Sequence, residues 1–281
     1  MNGLRSTDGV ELFVHHLRTA GGDGDRAVLL AHANGFHGLV WRPLAARLPH
    51  GPAIALDFRA HGASGPPERA EFAWDGFADD VLAVVDELAL RRPFGVGHSM
   101  GGAALLLAEQ RRPGTFAGLY LYEPVVFPGR RSTTPVESAL STGALRRRDR
   151  FASRPEAYER FAAKPPLDRF DPEALWAYVE HGFVEDGAGG VRLACRPEHE
   201  AQIYRMGATH GAFAELERVR CEVTVATGAV TSFGPAAFAE HIAAGLPHGR
   251  LVSTPTLGHF GPLEEPALVA AAVADAISRA G

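Results

Sequence analysis

The chain has 281 residues, 46% of them hydrophobic and 22% charged, with a formal net charge of -5. That mixture excludes a disordered, collagenous or coiled-coil chain, and the acidic balance offers no electrostatic footprint for nucleic acid or an anionic membrane. At this length one packed core nears its practical ceiling, which leaves one large domain or one domain carrying an insertion.

The first apolar run, residues 10–17, reads as a strand, and residues 27–33 read as a buried strand ending at Asn34-Gly35. A helix is predicted at about 41–48, between Trp41 and Pro49, and a strand at 53–57. After a Gly- and Pro-rich loop, Phe77, Val81, Val84, Val85 and Leu88 form one stripe of a helix predicted over 74–90. Residues 93–97 read as a short buried strand running into a helix at 101–110, and residues 117–122 as another strand. Short buried strands alternating with helices predict an α/β fold with a parallel sheet covered on both faces.

The rhythm breaks at residues 128–215, which are rich in Arg, Glu and Pro, with helical patches and no clear apolar strand. It resumes with strands at 221–227 and 250–253, a helix near 235–245 and a final helix after Pro266. The reading is a core of residues 1–127 and 216–281 with residues 128–215 inserted between two of its strands. Within the insertion, the Arg146-Arg147-Arg148 run with Arg150 reads as a solvated helix face. The aromatics Phe151, Tyr158, Phe161, Trp176, Tyr178 and Phe183 read mainly as packing for its helices, with some available to line an apolar pocket.

Cys195 and Cys221 are too few for a disulfide framework and lack CxxC spacing, so they read as free thiols in a reducing compartment. No apolar h-region opens the sequence and no 18-residue apolar run occurs, which predicts a cytoplasmic protein. Of the 28 basic residues only Lys164 is a lysine, a skew read as coding bias.

Gly97-His98-Ser99-Met100-Gly101 fits G-x-S-x-G. In a chain with this many glycines and serines chance supplies roughly 0.13 such matches, so position must carry the argument. The motif sits where a predicted strand meets a predicted helix, the setting a nucleophile elbow requires, and the flanking glycines let that turn tighten. A serine nucleophile needs a base and an acid to orient it. His259, in a Gly- and Pro-flanked loop after the last strand, is the candidate base. The oxyanion of acyl transfer needs two N–H donors. Met100 at the helix N-terminus supplies one, and Asn34, in the loop after the strand ending at His32-Ala33, supplies the other; the role of His37 stays open. A dinucleotide loop at Gly95, Gly97, Gly101 and Gly102 is rejected on spacing, and no metal or organic cofactor is called for.

Four blocks in order, His32-Ala33-Asn34-Gly35 with Trp41, Asp57-Phe58-Arg59-Ala60-His61-Gly62, Gly97 to Gly102 and Gly258-His259, resemble the α/β-hydrolase superfamily. The resemblance spans nearly the whole chain outside residues 128–215. It implies a mostly parallel eight-stranded sheet, a helical lid inserted after strand six, and structural roles for Asp57 and His61. The superfamily's usual acid, an Asp after strand seven, is missing: Thr231 stands in its place. Either the triad is broken or the acid comes from elsewhere, and Glu123, at the tip of strand six, is the candidate, with Pro124 expected to hold it extended. A Glu acid in this place resembles a subset of haloalkane dehalogenases, whose Asp nucleophile Ser99 excludes, and the zearalenone lactonases.

The expectation is therefore a serine hydrolase taking a small-molecule carboxylic ester or lactone, with Ser99, His259 and Glu123 as triad. The rivals are a C–C hydrolase, perhydrolase or lyase on the same fold, and a non-catalytic ligand-binding protein.

Overall fold

The computed structural model describes residues 3–19, 26–49, 51–129, 132–229 and 234–281. Its main sheet has eight strands: β1 (Leu4–Arg5), β2 (Glu11–Arg18), β3 (Val28–Ala31), β4 (Ala53–Asp57), β5 (Phe94–His98), β6 (Gly118–Tyr122), β10 (Glu222–Thr227) and β11 (Gly249–Ser253). In space the order is β1-β2-β4-β3-β5-β6-β10-β11. The two edge pairings β1·β2 and β2·β4 are antiparallel and the other five are parallel. The eighth strand, β1, escapes sequence reading because two residues carry no periodicity.

Helices cover both faces because the strands are apolar on both sides. Leu29 and Ala31 of β3, Ile54 and Leu56 of β4, and Leu119 and Leu121 of β6 pack toward α2 (Trp74–Glu87) and α3 (Met100–Arg111). The residues between them, Val28 and Leu30, Ala53 and Ala55, and Tyr120 and Tyr122, join the opposite cluster, which holds Leu44 of α1 (Arg42–Ala45) and Val269 and Val273 of α10 (Pro266–Arg279). The helix predicted at 41–48 is shorter than expected: a 3₁₀ turn at Gly38–Trp41 precedes the four residues of α1. The helix near 235–245 likewise divides into a 3₁₀ turn at Pro235–Phe238 and α8 (Ala239–Gly245).

Between β6 and β10 lie α4 (Ala139–Arg146), β7 (Arg150–Phe151), α5 (Arg154–Ala162), α6 (Pro172–His181), β8 (Phe183–Glu185), β9 (Val191–Leu193) and α7 (Pro197–Arg205). The three strands, which the sequence did not suggest, form a small antiparallel sheet ordered β7-β9-β8. At two or three residues each they are too short for alternation to show, and what holds them is the burial of Phe151, Phe183, Val191 and Leu193. The aromatics of this segment do pack on one another, with ring centroids 5.5 Å apart for Phe151–Phe161, 5.6 Å for Phe151–Phe183 and 5.7 Å for Tyr158–Trp176. Helices α4, α5 and α6 start on side-chain caps: Ser138, Ser153 and Asp171 accept from N–H groups of the first turn. Both cysteines are buried free thiols. Among the described residues no helix is long and apolar enough to cross a membrane, and no cluster of three or more metal-ligating side chains occurs.

Candidate active site

Parallel strands gather chemistry at their C-terminal ends, and here β3, β5, β6, β10 and β11 all deliver loops to one edge. The register sets His98 opposite Tyr122, so Ser99 and Glu123 leave their strands at the same level. Ser99 takes φ 54° and ψ -111°, a backbone conformation that non-glycine residues avoid. It persists because neighbours over-determine it: Ser99 N–H donates to Tyr122 O at 2.9 Å, and Ser99 O accepts from Ala103 and Val125, each at 3.1 Å. The glycines on either side are required by contact. A Cβ on Gly97 would lie 2.7 Å from Gly102 Cα, and one on Gly101 would lie 2.2 Å from Ala31 O. Ser99 ends as the N-cap of α3, with Met100 in the first position, where the N–H has no intrahelical acceptor.

Glu123 is 3% exposed and lies against His259. Its Oε2 accepts from His259 Nδ1 at 2.6 Å, while Oε1 accepts from Gly228 N at 2.9 Å and from the Thr227 hydroxyl at 3.3 Å. With Nδ1–H committed to a carboxylate, the lone pair of His259 sits on Nε2. The His259 side chain is 33% exposed, so the acid is sealed and the imidazole is reachable. Thr231, where the superfamily's usual Asp would stand, lies outside the described residues, while Thr227 and Gly228 just before it hold the Glu123 carboxylate.

One expectation is corrected. Glu123 is not extended ahead of Pro124 but has φ 43°. Its N–H still bonds Ala226 O on β10, whereas two residues later Val125 N–H bonds Ser99 O on the other side of β6. Crossing from one neighbour to the other within two residues forces the turn; Pro124 disfavours a right-handed helical Glu123, and the two hydrogen bonds select the left-handed alternative.

Three side chains missed in the sequence support this arrangement. His98 donates Nε2–H to His259 O at 2.8 Å and packs its ring 5.0 Å from that of His259. Tyr122 OH donates to Gly258 O at 2.8 Å, and Glu264 accepts from Gly258 N–H at 2.9 Å. The loop carrying His259 is thus pinned from β5, from β6 and from the short helix beyond it. For His98 and Tyr122 the available signal was their place directly before Ser99 and Glu123; Glu264 carried none.

The loop after β3 is fixed by neutral histidines. His61 Nδ1–H donates to Arg59 O at 2.9 Å, which makes Nε2 the acceptor for Gly35 N–H at 3.1 Å. Asn34 Nδ2 donates to Glu200 O at 3.0 Å, tying the loop to α7. The side chain of Asn34 is therefore occupied by the loop and α7. Asp57 accepts from Gly38 N at 2.6 Å, from Ala63 N at 2.9 Å and from His15 Nε2 at 2.9 Å. Burial opposes its charge, but the His15 hydrogen bond and the surrounding imidazoles outweigh burial and keep its pKa below the ordinary carboxylate range.

His37, left open by sequence, donates Nε2–H to Tyr178 O at 3.2 Å and stacks on the Tyr178 ring, with interplanar angle 7°. Its Nδ1 is buried with no hydrogen-bond partner among the described residues, and the ring packs beneath α6. Burial lowers the pKa of both His37 and His61 to about 4. The unfolded chain therefore holds more protons than the fold between about pH 4 and pH 6.5, and stability falls as pH falls through that window. Thermal melts are expected to show the drop, and His37→Leu to remove about 2 kcal/mol of it between pH 6.5 and 4.5, roughly 5 °C in Tm. An unchanged slope in that variant would mean that His37 is not neutral in the fold.

The Arg146 to Arg150 run is not the plain solvated face its sequence suggested. Arg147 is largely buried, with Nη1 2.7 Å from Glu200 Oε2 and Nη2 2.8 Å from Tyr178 OH. Arg148 lies over the Phe151 ring at 4.3 Å and pairs with Glu156 at 2.7 Å. Arg147 and Arg148, just beyond α4, reach four other elements: α5, α6, α7 and β7.

A family model described as an alpha/beta hydrolase family matches residues 28–272. The chain is 33% identical over 128 residues to the lipase LipV of Mycobacterium tuberculosis, covering 45% of this chain and 48% of that protein. It is 32% identical over 137 residues to the human monoglyceride lipase, covering 47% and 45%. The matched stretch thus spans less than half the length of these relatives. Among solved structures, the peroxisomal alpha-beta-hydrolase Lpx1 from Saccharomyces cerevisiae superposes with TM-score 0.78 at 18% identity, covering 99% of this chain and 90% of that one. E-2-(acetamidomethylene)succinate hydrolase superposes with TM-score 0.77 at 21% identity, covering 99% and 100%. With the strand-to-helix turn at Ser99, the strand order and the family match in agreement, this chain belongs to the alpha/beta hydrolase family.

Proposed function

We propose that the chain is a serine hydrolase that cleaves a carboxylic ester or lactone through an acyl-enzyme. The observation that carries this reading is the 2.6 Å bond between Glu123 and His259 Nδ1, together with the strained backbone turn that holds Ser99. Ser99 Oγ attacks the carbonyl carbon as its proton passes to His259 Nε2, and Glu123 stabilises the imidazolium. The backbone N–H groups of Met100 and Asn34 receive the oxyanion. Collapse returns the proton to the leaving alkoxide and leaves the acyl group on Ser99. Water, deprotonated by the same His259, then releases the acid and restores the hydroxyl. The names of the partial relatives, a lipase and a monoglyceride lipase, support an ester as substrate.

Residues 128–215 act as the lid, and the Asn34–Glu200 hydrogen bond is the seam between lid and oxyanion loop. No metal or organic cofactor takes part in any step. A fluorophosphonate probe tests the reading: wild type is expected to be labelled covalently and Ser99→Ala to remain unlabelled. Equal labelling of both, or of neither, would remove Ser99 as the nucleophile. Product analysis on an ester and lactone panel separates hydrolysis from C–C cleavage, perhydrolysis or elimination, and the absence of turnover beside tight binding would leave a ligand-binding protein.

A further inference from the structure

A cavity of about 300 Å³ lies where the segment between β6 and β10 meets the site. Two of its lining residues adjoin the proposed machinery: Phe260 follows His259, and Phe36 lies two residues beyond Asn34, their ring centroids 5.7 Å apart. The remainder of the wall is unusual for an acidic chain. Arg147, Arg148, Arg160 and Lys164 face this space, and Glu200 is the carboxylate among the lining residues. Arg147 and Arg148 are paired, to Glu200 and Glu156 respectively. Arg160, in the last turn of α5, and Lys164, just beyond it, make no ion pair among the described residues. The helix C-terminus favours cations there, which explains their tolerance but not their convergence with Arg147 on one concave space.

Such a concave space, though partly open, gathers positive potential on its contents, and its aromatic wall strengthens the field. Arg147 is held in fixed orientation by Glu200 and Tyr178, which leaves its remaining N–H groups preorganised. A neutral acyl chain would gain nothing from these charges, whereas an anionic end would be drawn in and oriented with the aromatic wall along its methylenes.

We propose that the substrate is an ester or lactone whose non-reacting end carries a carboxylate, read by the Arg147, Arg160 and Lys164 cluster that the lid itself carries. This inference rests on the hydrolase reading of Ser99, and its test separates the two. The 4-nitrophenyl monoester of adipic acid is compared with the same compound methylated at its free carboxylate, and 4-nitrophenyl acetate serves as the measure of turnover. The expected result is kcat/KM about tenfold higher for the charged ester, with the ratio falling toward one in about 0.5 M salt and in the double variant Arg160→Gln/Lys164→Gln. Both side chains are exposed, so the variant is expected to melt as wild type does.

A ratio at or below one in wild type, or a ratio that survives both salt and the double substitution, would overturn the proposal even while acetate is hydrolysed. Adipate is expected to compete with the charged ester and inorganic phosphate to do so far less; equal competition by phosphate would overturn the carboxylate assignment. If none of the three esters is turned over, the hydrolase reading fails by itself. Calorimetry then decides the charge reading: adipate binding that is weakened in the double variant supports it, and adipate binding no tighter than dimethyl adipate overturns it.

Discussion

Glu123→Gln is expected to lower kcat by about 10⁴-fold with little change in KM, the scale at which a serine triad suffers when its histidine is held in the wrong tautomer. The carboxylate accepts on both oxygens, from His259 Nδ1 at 2.6 Å and Gly228 N at 2.9 Å. An amide keeps one oxygen and gains an NH₂. Gly228 N–H can only donate, so it retains the oxygen and turns the NH₂ toward His259. Nδ1 must then accept, the proton moves to Nε2, and the nitrogen that should take the Ser99 proton already carries one. The substrate does not touch Glu123, which is 3% exposed, so ground-state binding survives and the loss falls on kcat. Steady-state kinetics on an activated ester, with circular dichroism to verify folding, provides the measurement. A loss of less than about tenfold would mean that the acid is elsewhere.

Why the place of Glu123 at the sheet edge was legible in the sequence and its conformation was not is a question of range. The strand before it is a contiguous apolar run ending in Glu-Pro, and a carboxylate at the tip of the strand beside the nucleophile strand can be placed by topology alone. Its φ of 43° follows from bonds to Ala226 O on one neighbour and, through Val125, to Ser99 O on the other, partners about a hundred and about twenty-five positions away. The same limit hid His98 and Tyr122, whose polar atoms meet the His259 loop across the sheet edge. The short strands β7, β8 and β9 were invisible for a different reason, since two or three residues cannot establish a period. Arg147 was misread because a run of arginines predicts solvent exposure on average, and it took Glu200 and Tyr178, each from another helix, to draw one member inward.

The glycines of the elbow were assigned a mechanical role from the motif, and that role makes its own prediction. Gly101→Ala is expected to destabilise the fold by about 3 kcal/mol or more and to lower kcat/KM about 10²-fold, whereas Gly102→Ala, one position on, should lie within about 1 kcal/mol of wild type. The chemical change is identical and both sites are helical, so the propensity gain of alanine over glycine is shared. What differs is the neighbour. At Gly101 the new methyl would stand 2.2 Å from Ala31 O, 2.5 Å from Ala31 C and 2.7 Å from His32 O, all backbone of β3 and its exit. A sheet strand cannot rotate aside as a side chain can, so α3 must lift from β3 or the exit of β3 must shift. Either movement separates the Met100 N–H from the Asn34 N–H, which sit on the two elements being forced apart, and an oxyanion needs both at hydrogen-bond distance together. At Gly102 the nearest atom is Pro124 Cβ at 3.0 Å, where a shift of a few tenths of an ångström suffices. Denaturant melts and kinetics on the two variants make the comparison. Equal losses at both positions would show that helix propensity or general crowding, and not the approach of α3 to the end of β3, governs the elbow.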